Sequence, residues 1–350
     1  MIKLPGLIDP HVHLRDPGDT HKEDWDSGTA AALAGGFTAV CAMPNTKPPI
    51  VDATALEMSL TAAAQKARCD YGVYVGATPE NVDSATTLAK RVVGKKMYLN
   101  GTFGTLKMDQ LDAIVAHCAS WPANKPLLAH AEQHTCGAAI LAAHLAGRSI
   151  HICHVSRAEE ISLIRTAKEK GIKVTCEVGP HHLFLCLDDV RRIGAGRAEV
   201  RPMLANASDR AALRANLEVV DCFATDHAPH LLSEKDSPAH PPGYPGLETA
   251  LALYLDLVHA GIITIDDVIN KCYTQPRRIF NLPEQPNTWV EVDPDANWVV
   301  RGADMQTRAK WTPWEGTTLR GRVERVVLRG NVAYEGRHVL AQPGTGRLIS

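Results

Sequence analysis

Residues 4–18 read Leu-Pro-Gly-Leu-Ile-Asp-Pro-His-Val-His-Leu-Arg-Asp-Pro-Gly, a short apolar run that ends in two histidines. The run predicts a buried strand. His11 and His13, two apart at its end, point to the same side of it. Two imidazoles so placed can bind one metal ion. In a chain with 16 histidines about one such pair arises by chance, so the pattern needs support from elsewhere. The support comes from the ends of the other strands.

Seven more β-type apolar runs follow the first one at 6–9: residues 38–43, 71–76, 95–99, 126–130, 149–154, 173–178 and 221–225. Helical patterns at 25–34, 53–66, 111–120, 135–145 and 158–170 fall between them. Most strand ends are one βα unit apart. The exception is the gap from Val178 to Asp221, which needs a long loop and a helix near 209–217. Eight parallel strands with intervening helices predict a closed (β/α)8 TIM barrel over 6–281. An open doubly wound sheet is the rival arrangement of the same elements. From Leu282 the texture changes to short strands at 287–294, 298–300 and 321–328, broken by Gly, Pro and Asn. Residues 282–350 together with 1–5 are therefore expected to form a small β-rich appendage. Because the barrel begins almost at once, the chain reads as a segment of a longer polypeptide.

A net charge of -2 leaves no basic stripe for nucleic acid. No apolar stretch is long enough to cross a membrane, and the first residues lack the apolar core of a signal peptide. Nine cysteines, scattered and odd in number, read as reduced thiols of a cytoplasmic protein.

In a (β/α)8 barrel the chemistry lies where strands end. His11 and His13 follow the first predicted strand, Lys96 lies in the fourth, His130 and His154 end the fifth and sixth, and Asp226 follows the eighth. Converging on one barrel mouth, they form a site for two divalent cations, and imidazole with carboxylate suits zinc. An ammonium cannot ligate a cation. If the Lys96 amine takes up carbon dioxide, the carbamate is anionic and offers two oxygens that can bridge two metals. Lys95 is adjacent, but strand alternation lets only one of the two face the barrel interior. Taken alone, a strand lysine is a solvated side chain; the surrounding ligands reverse that reading.

Several motifs occur in order. They are Pro-Gly-Leu-Ile-Asp-Pro-His-Val-His-Leu-Arg, Met-Pro-Asn-Thr (43–46), Gly-Lys-Lys-Met-Tyr-Leu-Asn (94–100), Ala-His-Ala-Glu (129–132), His-Ile-Cys-His-Val (151–155), Cys-Glu-Val-Gly-Pro-His-His-Leu (176–183) and Asp-His-Ala-Pro-His (226–230). Pro-Gly-Leu-Glu-Thr (245–249) and Pro-Arg-Arg-Ile-Phe (276–280) continue the match. In this set the chain resembles the dihydroorotases of the amidohydrolase superfamily, above all the dihydroorotase domain of multifunctional eukaryotic pyrimidine-synthesis proteins.

The resemblance implies that His11, His13 and Asp226 bind one zinc and His130 and His154 the other, with carboxylated Lys96 and a hydroxide bridging them. It also favours a third zinc at Cys153, Glu177 and His11, against the plainer reading of a buried thiol and a loop carboxylate. The implied reaction is the reversible cyclisation of N-carbamoyl-L-aspartate to L-dihydroorotate and water. The bridging hydroxide would be the nucleophile and Asp226 the general acid and base. A homodimer is implied, and so is one polypeptide shared with carbamoyl-phosphate synthetase and aspartate transcarbamoylase.

Dihydroorotate carries a carboxylate, so its site needs a cation near the metals. Arg15, two beyond His13, offers a bidentate fork. The resemblance adds Asn45 and His230 as further carboxylate donors. It places Arg201 and Pro242 against the ring amide, through side chain or backbone. Residues 100–106, with glycines on either side of Thr102 and Phe103, read as a loop that closes over the site. The resemblance implies that Thr102 donates a hydrogen bond there and that Phe103 excludes water. His151, His181 and His182 read as supporting or structural, and His117, His134, His144 and His259, in predicted helices, as without chemical role. The rivals are a hydantoinase, dihydropyrimidinase or allantoinase with the same metal apparatus, and a non-catalytic scaffold barrel.

Overall fold

Leu7, Ile8 and Val12 are buried and form the first strand of an eight-stranded parallel sheet in the computed structural model, which describes residues 1–350. A short strand β1 (Ile2–Pro5) precedes it. The sheet then runs in chain order through β2 (Leu7–Val12), β3 (Phe37–Ala42), β4 (Asp70–Gly76), β5 (Gly94–Tyr98), β6 (Leu127–His130), β7 (Ile150–Ile152), β8 (Val174–Val178) and β9 (Cys222–Phe223). A parallel bridge between Val12 and His227 brings the last strand's exit back to the first, and the His13 N–H donates to the His227 carbonyl at 2.7 Å. The sheet therefore closes on itself. The barrel forms, and the open sheet does not.

β7 and β9 are shorter than their apolar runs. At β9 the reason is chemical. The Thr225 N–H and hydroxyl both donate to the Asp9 carboxylate, at 3.2 and 2.5 Å, which takes the chain out of the ladder just before Asp226. Asp226 then adopts a left-handed backbone (φ 48), as do His154 (φ 35) and Arg15 (φ 60). Non-glycine residues avoid this region unless their surroundings hold them there, and such residues gather at functional sites.

The gap from Val178 to Asp221 holds short helices at Pro180–Phe184 and Val190–Ile193, and a longer one at Ala207–Ala215. After the barrel, β10 (Trp289–Val299), β11 (Thr318–Leu328), β12 (Asn331–Glu335) and β13 (His338–Val339) form an antiparallel sheet in the order β1-β10-β11-β12-β13. The two runs expected at 287–294 and 298–300 are one strand. Pro294 is carried by a register shift between Asp293 and Asn297 rather than by a break. Val290, Val292, Val323 and Val326 of this sheet pack with Leu251 and Leu255 of helix Leu247–His259 in one cluster of 72 buried residues that also lines the barrel wall. Sheet and barrel thus share a core. No helix is long and apolar enough to cross a membrane.

Candidate active site

The barrel mouth is built from histidines whose tautomers are set by partners behind them. His11 donates from Nδ1 to the Glu177 carboxylate, which also takes a bond from His151 Nε2 at 3.1 Å. His13 donates from Nδ1 to Asn45 Oδ1 at 2.7 Å. With both protons on Nδ1, the two Nε2 lone pairs are free. They converge on Asp226 Oδ1 at 3.2 and 3.0 Å. Lone pairs facing a carboxylate oxygen repel it unless a positive charge lies among them. Imidazoles oriented by an outer carboxylate or amide are also how proteins prepare metal ligands.

Across the mouth, His130 Nδ1 and His154 Nε2 lie 2.9 Å apart, again two ring nitrogens aimed at one point. Lys96 Nζ is fully buried with no hydrogen-bond partner, 5.3 Å from the centre of the Tyr98 ring, and near enough to His130 and His154 for its charge to help lower both. A buried amine without a partner is costly. Conversion to an anionic carbamate that a cation pairs would remove that cost.

Burial lowers the pKa values of His130 and His154, and brings His13 to about 4 despite the pull of Asp226. These rings are therefore neutral, as ligands must be. Burial alone would raise the Asp226 carboxyl; positive charge on the side of His11 and His13 outweighs it and holds the group well below the usual carboxylate range, and with both Nε2 atoms as lone pairs that charge has to come from a cation set among them. Glu177 is held low by His11 and His151. His11, Cys153 and Glu177 form a second cluster of possible ligand atoms, all within 4.8 Å of one another.

Lys95 faces the other way, as strand alternation requires. Its Nζ lies 3.1 Å from His117 Nδ1 and 4.5 Å from the Trp121 ring centre. His117 Nε2 donates to the Thr78 carbonyl at 2.9 Å, which leaves Nδ1 as acceptor. His117 is thus the partner of a buried lysine, a role that its place in a predicted helix did not reveal. His151 is bonded to Thr175 Oγ1 as well as Glu177. His181 and His182 are buried with Nε2 unpartnered.

Arg15, Asn45, Thr102, Phe103, Arg201 and Pro242 line one cavity with the convergent histidines and Asp226. Arg15 is 3% exposed, so it is no surface arginine. Its Nε donates to the Pro229 carbonyl at 3.2 Å, and Nη2 lies 3.1 Å from His230 Nε2. Asn45 has two tasks. Its Oδ1 orients His13, and its Nδ2 donates to the Phe103 carbonyl at 2.9 Å. That bond draws loop 100–106 down over the mouth, with the Phe103 ring edge-on to His230 at 4.8 Å. The cavity beneath is consequently only about 20 Å³. A roomier cavity of about 230 Å³ lies between helix Leu247–His259 and the antiparallel sheet, but no converging histidines line it. Arg201 is one-third exposed and paired with Glu199 at 2.8 Å, so it sits on the rim. Pro242 contributes its carbonyl, 3.1 Å from His230 Nε2. Gly243 beside it runs so close to Ala228 that a Cβ would lie 2.3 Å from the Ala228 carbonyl oxygen.

Three buried charged residues near the site gave no signal in the sequence. Lys22 contacts His230. Glu23 lies 3.4 Å from His227 Nε2 and accepts from the Thr307 hydroxyl and the Arg308 N–H, which ties the neighbour of Asp226 to residues 307–308. Lys235 Nζ donates to the carbonyls of Glu199 and Pro241 at 2.7 and 2.8 Å, and so clamps together the segments that carry Arg201 and Pro242. In sequence all three sit in charged loops or in a short turn of helix. Solvation is the default reading there, and only the fold supplies their partners.

Residues 2–333 match the amidohydrolase family. The chain is 54% identical over 347 residues to the multifunctional protein CAD of Squalus acanthias, covering 99% of this chain and 16% of that protein. It thus spans about a sixth of that relative's length. It is 36% identical to the dihydroorotase of Pyrococcus abyssi, covering 99% of this chain and 87% of the other. Among solved structures, the L-hydantoinase of Arthrobacter aurescens superposes with a TM-score of 0.95 at 23% identity, over 100% of this chain and 89% of the other, a likeness of fold. The inactive dihydroorotase-like domain of the Chaetomium thermophilum CAD-like multifunctional protein superposes at 0.86 with 28% identity, over 100% and 99%. A closed barrel with histidines and an aspartate converging at its mouth, a buried lysine on its inner side, and a match along almost the whole sequence lead to one assignment: the chain belongs to the amidohydrolase family, among its dihydroorotases.

Proposed function

We propose that this chain is a zinc-dependent dihydroorotase that interconverts N-carbamoyl-L-aspartate and L-dihydroorotate. The observation that carries the reading is the pairing of two sets of groups in one cavity. His11 and His13 Nε2 converge on Asp226, the His130 and His154 nitrogens meet in the same cavity, and Arg15 and Asn45 line it beside them, with His230 against Arg15, as a socket for a carboxylate. Hydantoins, dihydropyrimidines and allantoin lack the ring carboxylate that such a socket would hold.

His11, His13 and Asp226 would hold one zinc and His130 and His154 a second, with carboxylated Lys96 between them. The neutral imidazoles and the partnerless Lys96 amine fit that group. Zinc there supplies Lewis-acid polarisation of a carbonyl and a water of lowered pKa, available as nucleophile at neutral pH. The chain's own residues do the rest. Arg15 and His230 hold the substrate carboxylate, and the Phe103 loop excludes bulk water. Asp226 takes a proton from the attacking water and delivers it to the ring nitrogen that leaves, acting as base and then acid. Cyclisation is the reverse, and it consumes one proton because carbamoyl aspartate is a dianion and dihydroorotate a monoanion. Lower pH therefore shifts the equilibrium toward the ring.

A third zinc at Cys153, Glu177 and His11 belongs to the same reading. It would replace the direct bond from His11 Nδ1 to Glu177. We also read the chain as one domain of a multifunctional polypeptide, joined to carbamoyl-phosphate synthetase and aspartate transcarbamoylase and self-associating as a dimer. The 16% share of the shark relative supports the first part of this.

The test is metal analysis and turnover on one purified sample, with dihydroorotate, hydantoin and allantoin side by side. Activity confined to dihydroorotate is the expected result, and equal or greater rates on hydantoin would overturn it. A sample that takes up no zinc and turns over none of the three would be a non-catalytic scaffold; the complete set of candidate ligands speaks against that. The loop is tested separately. Thr102→Ala and Phe103→Ala should each lower kcat/KM by about 10- to 100-fold through lost closure, with zinc content unchanged. Full activity in both variants removes the lid.

A further inference from the structure

Lys22 lies in the loop between β2 and helix Trp25–Ala34, yet it is only 5% exposed. Its Nζ sits 3.2 Å from His230 Nδ1 and 3.0 Å from Glu234 Oε1. An ammonium can only donate, so Nδ1 must accept, and His230 must carry its proton on Nε2. The Pro242 carbonyl agrees, since it can only accept and lies 3.1 Å from Nε2. The opposite tautomer would set an N–H against Lys22 and a lone pair against the carbonyl, two mismatches. The Nε2–H form has one, against Arg15 Nη2 at 3.1 Å. That single mismatch is informative. The Nε2–H already has the Pro242 carbonyl, but Arg15 Nη2 beside it has no acceptor there, and an anionic oxygen arriving at this point can take the Arg15 N–H and share the ring N–H with the carbonyl. Burial, reinforced by Arg15 and Lys22, keeps the ring neutral by pushing its pKa far below the usual value.

We propose that Lys22 is a positioning residue for the substrate carboxylate, holding His230 as the Nε2–H tautomer so that a donor stands beside Arg15. The proposal rests on the dihydroorotase reading for its substrate, and on geometry alone for the tautomer. Without Lys22 the proton is free to move to Nδ1. The Nε2 lone pair then accepts from Arg15 and faces the carboxylate, and an attraction becomes a repulsion.

The experiment uses the zinc-loaded chain. Kinetics on dihydroorotate compare wild type, Lys22→Met, His230→Ala and the double variant, and ¹⁵N-histidine NMR reads the His230 tautomer in wild type and Lys22→Met. The expected results are a KM raised about tenfold or more by Lys22→Met, a smaller fall in kcat, and little further loss from Lys22→Met once His230 is alanine. In the NMR, Nε2 is protonated in wild type, and protonation at Nδ1 grows in the variant. A wild-type ring protonated at Nδ1 overturns the proposal whether or not the variant folds. So does an unchanged KM, or an equal loss in the His230→Ala background, which would make Lys22 a plain charge. If wild type itself leaves dihydroorotate untouched, the functional reading fails, and the NMR still decides the tautomer.

Discussion

Lys96→Ala is expected to lose most of its zinc and to lower kcat/KM by at least about a thousandfold, beyond the 10- to 100-fold that loss of an outer partner of a metal ligand brings. The reason is the isolation of this amine. It is fully buried, has no hydrogen-bond partner, and lies close enough to His130 and His154 for its charge to depress both rings. A group in that position either bridges cations as an anion or is a cost to the fold. The two possibilities separate in the metal-free protein. Lys96→Met removes the amine and keeps the length, so its apoprotein should melt no lower than wild-type apoprotein, although the zinc-loaded forms differ. Short carboxylic acids should restore part of the activity of Lys96→Ala by supplying the missing oxygens. Metal counting and turnover with and without acetate measure this, and an alanine variant with full zinc and full rate would refute the bridging carbamate. Cys153→Ser is the informative contrast. If a third zinc is held there, the variant loses one equivalent and keeps the other two. An unchanged count leaves His11 Nδ1 bonded to Glu177 directly.

What could be read from the chain follows from which forces are local. Alternation of apolar residues and the spacing of βα units are local, and they placed eight strands and put Lys96 inward with Lys95 outward. The same rule could not foresee that β9 keeps only two residues, because its end is taken by Asp9, 216 positions away in sequence. Nor could it foresee β10 running through Pro294, since a proline reads as a break until a register shift is seen to absorb it. At the site, the strand-end histidines and Asp226 that the fold brings to one mouth were legible by their type and place. Their partners were not. Asn45 was expected to bind substrate, and its bond to His13 appears only once β2 and the loop after β3 lie side by side. Lys22, Glu23 and Lys235 are charged residues in polar surroundings of sequence, and burial by distant segments turns them into clamps. His117 was set aside as a helix residue for the same reason.

Asp226→Asn should fall in kcat by about 10³- to 10⁴-fold, toward the upper end of what a positioned acid–base group supplies, while KM for dihydroorotate moves far less. The asymmetry comes from geometry. Asp226 Oδ1 is the point on which the His11 and His13 nitrogens converge, whereas the substrate carboxylate is assigned to Arg15 and His230, which do not contact Asp226. Asparagine keeps the shape and one oxygen, so it can still fill a ligand position, but it can neither take a proton from water nor return one to the ring nitrogen. Zinc content therefore has to be measured with the kinetics. A variant that retains zinc and binds dihydroorotate but turns it over slowly places the proton transfer on Asp226. A variant whose lost rate is fully explained by lost zinc would make Asp226 a ligand alone. Wild-type rates at full zinc would exclude it as the base, and the proton would have to be carried by another group at the mouth.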